Sequence, residues 1–561
     1  MTPTNGATVG FTGRLRTPFA HWRFSWLVTF AVVVALLVAA PLASVAWNVF
    51  EPSEQDVFAH LAETVLADYL VNTAILMVGV ATAVVVFGVS TAWLVTVHRF
   101  PGSRVLKWAL VLPMAMPAYV VAYAYTDFLQ FTGPVQTGLR EAFGWSRGDY
   151  WFPEIRSVWG AAAMFSFVLY PYVYVITRAA FVERAGSAME AARTLGANYA
   201  AAFFRVALPL ARPAVAAGAT LAVMETLADF GTVSYFAVET FTTGIYRAWF
   251  AFGDRVAAAK LSAMLLAFVA LAVTAERLSR GRARYHNTGT RRSGAPARLS
   301  MGKGIAAALW CITPLLLGFV VPALMLLKLA LSAGDEQFGG RYLRLIANSF
   351  SLAGGTAVAG VLVALLLAYT ARVRPGMSTA FLNRAVSLGY ATPGSVIAVG
   401  ILIPVTLLDN WLVEQAQARL GLTIGLIFTG GVLALVYAYV VRFLSIALQT
   451  VEASLSKITR AMDDAARSLG AGQFALLAQV HVPIMWPSLV TAALLVFVDV
   501  MKELPATLVM RPFNFDTLAT QVYTLAADER LAEAATPALT IVAVGLIPVI
   551  VLSRTIARSR K

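Results

Sequence analysis

The chain is 561 residues long, 59% hydrophobic and only 13% charged, with a mean hydropathy of +0.74. A soluble domain of ordinary composition carries about 25% charged residues, so this makeup excludes one and places the chain in a bilayer. The net charge of +14 would suit a nucleic-acid partner, but most Lys and Arg residues fall on alternate tails and loops, Arg14, Arg16, Arg23, Arg99, Arg104, Arg184 and Arg212 among them. That is the positive-inside bias that orients membrane helices, so the basic balance reports topology and no nucleic-acid partner is expected.

The basic stretch Arg16 to Arg23 and the sequence PLASVAW at 41–47 invite comparison with a secretory signal. The apolar run of about 25 residues exceeds the core of such a signal. An uncleaved helix is therefore predicted, preceded by a cytoplasmic tail over 1–24. Apolar runs long enough to cross a bilayer predict six spans near 25–49, 70–97, 106–129, 157–180, 213–237 and 258–276. In the acidic outer loop 51–68, His60 and Glu63 share one helical face, which reads as solvated. Tyr150 and Trp151 in the loop 131–156 are placed to meet a docking protein or the interfacial belt.

A polar interlude separates the fourth and fifth spans, and residues 190–209 read EAARTLGANYAAAFFRVALP. The composition of 183–195 predicts a helix presenting Glu190 and Arg193 to the cytosol. Gly196 then permits a turn that other residues resist. Helix resumes over 198–207 with Phe203, Phe204 and Val206 toward the protein, and Pro209 and Pro213 suit the start of the next span. That span holds ETLADFG at 225–231, predicting Glu225 and Asp229 on one helical face. A rise of ~1.5 Å per residue puts Glu225 past mid-membrane.

Residues 277–303 mix Arg277, Arg280, Arg282, Arg284, Arg291, Arg292 and Arg298 with Gly, Ser, Thr and Pro. This reads as a flexible cytoplasmic linker whose arginines anchor topology beside anionic lipid. MGKG at 301–304 is the nearest approach to a phosphate loop and lacks its glycine spacing and its Ser or Thr, so the chain is not expected to hydrolyse ATP. Six further spans are predicted near 304–331, 347–371, 384–408, 419–445, 487–510 and 533–553. Cys311 is the only cysteine and falls inside a span, which excludes an intrachain disulfide and a thiolate metal cluster.

The second half repeats the first. Residues 464–483 read DAARSLGAGQFALLAQVHVP, and at an offset of 274 Asp464 falls on Glu190, Gly470 on Gly196 and Pro483 on Pro209. At the same offset DVMKELP at 499–505 pairs Asp499 with Glu225 and Glu503 with Asp229. HRFPG at 98–102 matches VRPG at 373–376, and Asn72 before the second span corresponds to Asn348 before the eighth. With six spans in each half the copies face the same way, related by a pseudo-two-fold axis along the membrane normal. The predicted fold is an all-α membrane protein of about 12 transmembrane helices in two tandem six-helix halves, 25–276 and 304–561, with polar loops at 183–208 and 457–482 on one face. A loop present twice at fixed spacing fits a docking surface for a two-fold partner.

Ionisable groups inside a membrane are costly and mark a pathway or a pairing. Glu225, Asp229, Asp499 and Glu503 thus read as a cation-friendly lining; the competing expectation is local ion pairing with Lys502 or a place in the headgroup layer. His21, His60, His98, His286 and His481 are scattered without ligand spacing, so no metal site is predicted, and no nucleophile–base constellation points to catalysis.

The pattern E-A-A-x3-G-x9-hydrophobic-x-L-P, complete here as Glu190, Ala191, Ala192, Gly196, Val206, Leu208 and Pro209, resembles the EAA loop of type I permeases from binding-protein-dependent ABC importers. The second copy, with Ala465 and Ala466, departs at Asp464 and Val482; the shorter acidic arm predicts looser coupling there. The resemblance covers both halves. It implies that these loops are coupling helices seated on two copies of a separate ABC ATPase, which uses ATP and Mg, with Gly196 and Gly470 making the bend. It also implies an extracytoplasmic (periplasmic) binding protein, no cofactor bound by this chain, and a bacterial inner membrane with both termini cytoplasmic. ETLADFGTVSYF at 225–236 and KELPATLVMRPFNFDTLAT at 502–520 are similar to the fused, double-length ferric-iron subfamily. That likeness implies an Fe3+-binding partner and an acid-lined route suited to a hard cation. Thiamine and polyamine permeases are related alternatives. A secondary transporter driven by an ion gradient would explain the spans and acids but not two matching polar loops.

Overall fold

The computed structural model describes residues 26–52, 57–182, 186–280, 297–332 and 339–558. The predicted tail 1–24, most of the linker and the start of the first polar loop lie outside them. Among the described residues, eleven helices are long and apolar enough to cross a membrane, and a twelfth span arises if one bent pair is counted as one. The all-α expectation of about twelve spans is met. Besides helices, the described residues hold one two-residue parallel pairing, His98–Arg99 with Ala297–Arg298.

Three expectations about the spans change. The third, read as one run over 106–129, is two pieces bent by 91° between Ser103–Ala115 and Ala118–Phe143. Pro117 stands at the bend with φ −63 and ψ 139, because proline has no N–H to continue a helix and drives its predecessor out of the α region. The ninth and tenth spans shift along the chain to Gly394–Leu420 and Val432–Leu455. The apolar stretch 421–431 between them contains four glycines and is not helical. Asp409 organises it, accepting hydrogen bonds from the backbone N–H groups of Ile427, Phe428 and Thr429. The fifth and eleventh spans, read as continuous over 213–237 and 487–510, each break before their outer ends.

The halves embrace through their first spans. Trp26–Asn48 packs on Met377–Ser387 and Gly394–Leu420 of the second half. A Cβ on Gly400 would stand 2.3 Å from the Pro41 carbonyl, so only glycine admits that crossing. The Tyr437 hydroxyl donates to the Leu37 carbonyl at 2.6 Å. Reciprocally, the seventh span runs against the first half: Tyr125 donates to the Leu317 carbonyl at 2.8 Å and Trp310 Nε1 to Ser90 Oγ at 2.8 Å.

Inside the first half, the helix Val158–Ala180 is central. Its Tyr170 and Tyr174 are fully buried and donate to the carbonyls of Leu110 and Lys107, at 2.9 and 3.0 Å. Small residues let membrane helices approach closely, and at Gly218 an added Cβ would lie 2.6 Å from Val173 Cα. Gly218→Leu is expected to prevent this packing and cut the folded permease recovered from membranes at least tenfold; size-exclusion recovery after solubilisation checks it. Recovery equal to wild type would show that the helices can part there.

Candidate functional site

The two polar segments share one backbone design. In the first, Gly186–Thr194 is followed by a turn and Tyr199–Ala202; in the second, Arg460–Ser468 precedes Gln473–Ala475. Gly196 and Gly470 occupy the left-handed region at φ +89 and +87, where a side chain is strained. A π-turn then leads into Leu208–Ala228 and Val482–Met501, each with proline in its first turn, Pro209 and Pro483. The π-turn advances the helical phase and corrects one expectation: Phe203 packs inward on Trp93 at 4.8 Å, but Phe204 is 66% exposed. Asp464 is exposed and pairs with Arg467, one turn on. Leu195 and Leu469, immediately before the two glycines, are 87% and 89% exposed.

Helices of 21 and 20 residues rise from these segments, about 30 Å at 1.5 Å per residue. They end together. Glu225, Asp229, Asp499 and Glu503 all line one cavity of about 90 Å³, with Tyr119, Tyr172, Lys502 and Arg442. The expected geometry of the acids is corrected here. The helices stop at Ala228 and Met501, so Asp229 and Glu503 sit in the breaks and not one turn up the same helix.

Each of those two acids caps the short helix that follows. Asp229 Oδ1 accepts from the Thr232 N–H at 2.8 Å and its Oδ2 from the Thr232 hydroxyl at 3.1 Å. Glu503 accepts from the N–H groups of Ala506 and Thr507 at 3.0 and 3.2 Å and from the Thr507 hydroxyl at 2.8 Å. A broken helix at membrane depth must have its freed backbone groups satisfied by protein, and here the acid one residue ahead of the N-cap does so.

The ion pairing of the competing expectation is also present, through Lys502, and a second, unexpected pair through Arg442 joins it on the second-half wall. Arg442 Nη1 lies 2.9 Å from Glu503 Oε1 and Lys502 Nζ 2.8 Å from Asp499 Oδ1. On the first-half wall, Glu225 accepts from the Tyr390 hydroxyl at 2.8 Å, and Asp229 has the neutral donors just named. The cavity is thus lined by four carboxylates and two cations, unevenly placed. Among the described residues no three His, Cys, Asp or Glu side chains converge to hold a metal ion.

Beyond Phe230 lies a second cavity of about 550 Å³, lined by Phe230, Tyr246, Tyr523, Phe250 and the Glu239–Arg247 pair. Phe230 stacks on Tyr246 with centroids 3.7 Å apart, and the Tyr246 hydroxyl donates to the Pro505 carbonyl. An aromatic plug therefore stands between the two cavities. The walls repeat here at an offset of 277: the capping boxes Thr240/Thr243 and Thr517/Thr520, then Tyr246 and Tyr523. Asn72 and Asn348 donate to the carbonyls of Glu239 and Asp516 at 2.9 and 3.0 Å, so the paired asparagines hold equivalent loops.

Residues 84–282 match the family of binding-protein-dependent transport system inner membrane components. The chain is 26% identical over 537 residues to the Fe(3+)-transport system permease protein FbpB 2 of Haemophilus influenzae, covering 94% of this chain and 98% of that one. Its first half carries this family's domain, and its whole length resembles that Fe(3+) permease. Shorter likenesses link the permease to the molybdenum transport system permease protein ModB of Escherichia coli, 33% identical over 26% of this chain and 60% of that protein. The sulfate transport system permease protein CysT of Salmonella typhimurium is 29% identical over 26% of the chain and 50% of that protein. These relatives are transport permeases and not enzymes.

Sequence reasoning missed Arg442, Tyr390 and the aromatic plug. Arg442 had a signal, an arginine inside the apolar run VYAYVVRFLSIAL. Tyr390 and Phe230 had none, because a tyrosine or phenylalanine in an apolar helix is ordinary core.

Proposed function

We propose that the permease carries ferric iron across the bacterial inner membrane, receiving it from an extracytoplasmic binding protein and driven by a separate ABC ATPase. The observation that carries this reading is the four-carboxylate cavity at the joined ends of two helices that begin in the polar segments. Carboxylate oxygens suit a hard cation, and each helix links the cavity to its own polar segment. The end-to-end likeness to an Fe(3+) permease supports the cargo.

In this reading the domains run 25–276 and 304–561, with both termini cytoplasmic. The loops at 183–208 and 457–482 seat on two ATPase copies. Glu190, Ala191, Ala192, Asp464, Ala465 and Ala466 face that partner, and exposed Leu195 and Leu469 fit a pair of apolar grooves. ATP with Mg closes the ATPase pair and draws the segments together. The halves then rock, the Phe230 plug opens outward, and the ion enters between Glu225, Asp229, Asp499 and Glu503.

Arg442 and Lys502, with the shorter likenesses to sulfate and molybdenum permeases, favour an oxyanion as the second reading. Both cations are already engaged by Glu503 and Asp499, which weighs against it. The test is uptake of radiolabelled ferric iron in cells with and without the gene, with thiamine, a polyamine, sulfate and molybdate in parallel. Loss of iron uptake alone is expected. Loss of any other cargo with iron uptake intact would overturn the iron reading and leave the permease architecture standing.

A further inference from the structure

The two polar segments are anchored by unlike chemistry. In the second half, Asp463 in the first turn of Arg460–Ser468 is buried. Its Oδ2 accepts from Arg372 Nε at 2.8 Å, and its Oδ1 lies 2.9 Å from His481 Nε2. Arg372, at the end of the spanning helix Gly340–Val373, also donates to the carbonyls of Leu455, Ile458 and Thr459 at 2.9, 2.9 and 3.2 Å. His481 is fully buried, at the foot of Val482–Met501, with its ring 5.6 Å from that of Tyr369. Tyr369 in turn donates to the Gln473 carbonyl at 2.6 Å. One carboxylate thereby ties the polar segment to two spanning helices, and Arg372 adds the end of a third, Val432–Leu455.

Burial works to raise the Asp463 pKa, but the hydrogen bonds from Arg372 and His481 outweigh it and hold the carboxyl below its ordinary value of 3.8. Its stabilisation is present above that value and is lost only as pH falls below it, so the tie stays ionised at any cytoplasmic pH.

The first half has none of the three residues. At the repeat offset Arg372 falls on His98, Asp463 on Met189 and His481 on Ala207. Here the ring of His98 lies 5.1 Å from Tyr199 and 6.3 Å from Trp93, and the Arg193 guanidinium sits 4.1 Å from the Tyr199 centroid. Burial, then the Arg193 charge, lower the His98 pKa, favouring the neutral ring. The His98–Arg99 backbone pairs with Ala297–Arg298, at the end of the linker. Ring faces permit sliding where a forked, charge-assisted network fixes both distance and direction.

We infer that Arg372 is a positioning residue that makes the second polar segment a rigid lever, while the first rides on an aromatic bearing, so the two transmit the ATPase stroke unequally. The inference rests on the coupling role proposed above. Its first test needs no variant: amide hydrogen exchange in the nucleotide-free transporter, comparing Arg460–Ser468 with Gly186–Thr194. Exchange at least tenfold slower in the second segment is expected; rates within twofold of each other would overturn the inference. The second test compares Arg372→Gln with Tyr199→Leu in the reconstituted transporter. Arg372→Gln is expected to raise ATP hydrolysed per ion imported at least fivefold without changing the KM for ATP, with Arg372→Lys intermediate and Tyr199→Leu within twofold of wild type. An unchanged ratio in Arg372→Gln, or an equal rise in Tyr199→Leu, would overturn it. Should Arg372→Gln fail to fold, the wild-type exchange comparison decides. Leu195→Cys and Leu469→Cys, against the single buried native Cys311, report the coupling role separately: failure of both to crosslink to the ATPase would sink that role and leave the exchange result untouched.

Discussion

Glu503→Gln is expected to lower the amount of folded permease several-fold, whereas Asp229→Asn leaves the amount near wild type and strikes transport instead. Glu503 and Arg442 form a pair whose side chains are only 2% and 10% exposed. Removing one partner of such a pair leaves an uncompensated buried charge and costs about 3–5 kcal/mol, a large share of a stability of roughly 5–15 kcal/mol. Removing both is far milder, so Glu503→Gln with Arg442→Gln should restore much of the yield. Asp229→Asn loses its charge but keeps a carbonyl oxygen for the Thr232 N–H, so its cap survives. If the acids line the pathway, uptake per folded molecule falls at least tenfold in Asp229→Asn. Quantified permease in membranes together with labelled-iron uptake separates the two effects. Normal uptake per molecule in Asp229→Asn would remove that carboxylate from the pathway.

The second large effect is expected at the bends. Gly196 and Gly470 hold φ near +88, and no atom lies within 4 Å of a Cβ built on either. The obstacle to substitution is therefore the backbone and not a neighbour. A β-branched residue in that region is strained by about 1–2 kcal/mol, enough to favour a different turn and swing the polar segment away from its helix. Gly470→Val should let the transporter assemble but cut uptake at least tenfold while ATP hydrolysis continues. Gly470→Asn, which tolerates left-handed backbone, should keep most of the uptake. ATP hydrolysis and uptake measured in the same proteoliposomes test this; a Val variant that transports normally would show that the bend is not needed for coupling.

How much of this was legible in the sequence depends on the kind of signal. Apolar length marks spans well, so about twelve spans and the two-half plan were readable, and the repeat offset located both polar segments. Apolar content does not report continuity. The breaks at Asp229 and Glu503 were written in the sequence as an acid followed two residues later by Gly231 or Pro505, a helix-start pattern that a search for long apolar runs passes over. The stretch 421–431 misled for the same reason: its residues are apolar, yet its glycines and Asp409 make a capped loop. Partners distant in the chain, such as Tyr390 for Glu225 or Arg372 for Asp463, are invisible because the residues that meet lie 165 and 91 positions apart and no local periodicity links them.

The crossed first spans set a timetable for biosynthesis. Trp26–Asn48 leaves the ribosome well ahead of its partner Gly394–Leu420, which follows about 350 residues later. At roughly 5–20 residues per second, the earlier helix waits tens of seconds in lipid with Pro41 exposed to whatever passes. Joining the halves in one polypeptide ensures that its partner arrives in the same patch of membrane, at a ratio of one to one, before an unrelated helix takes the place.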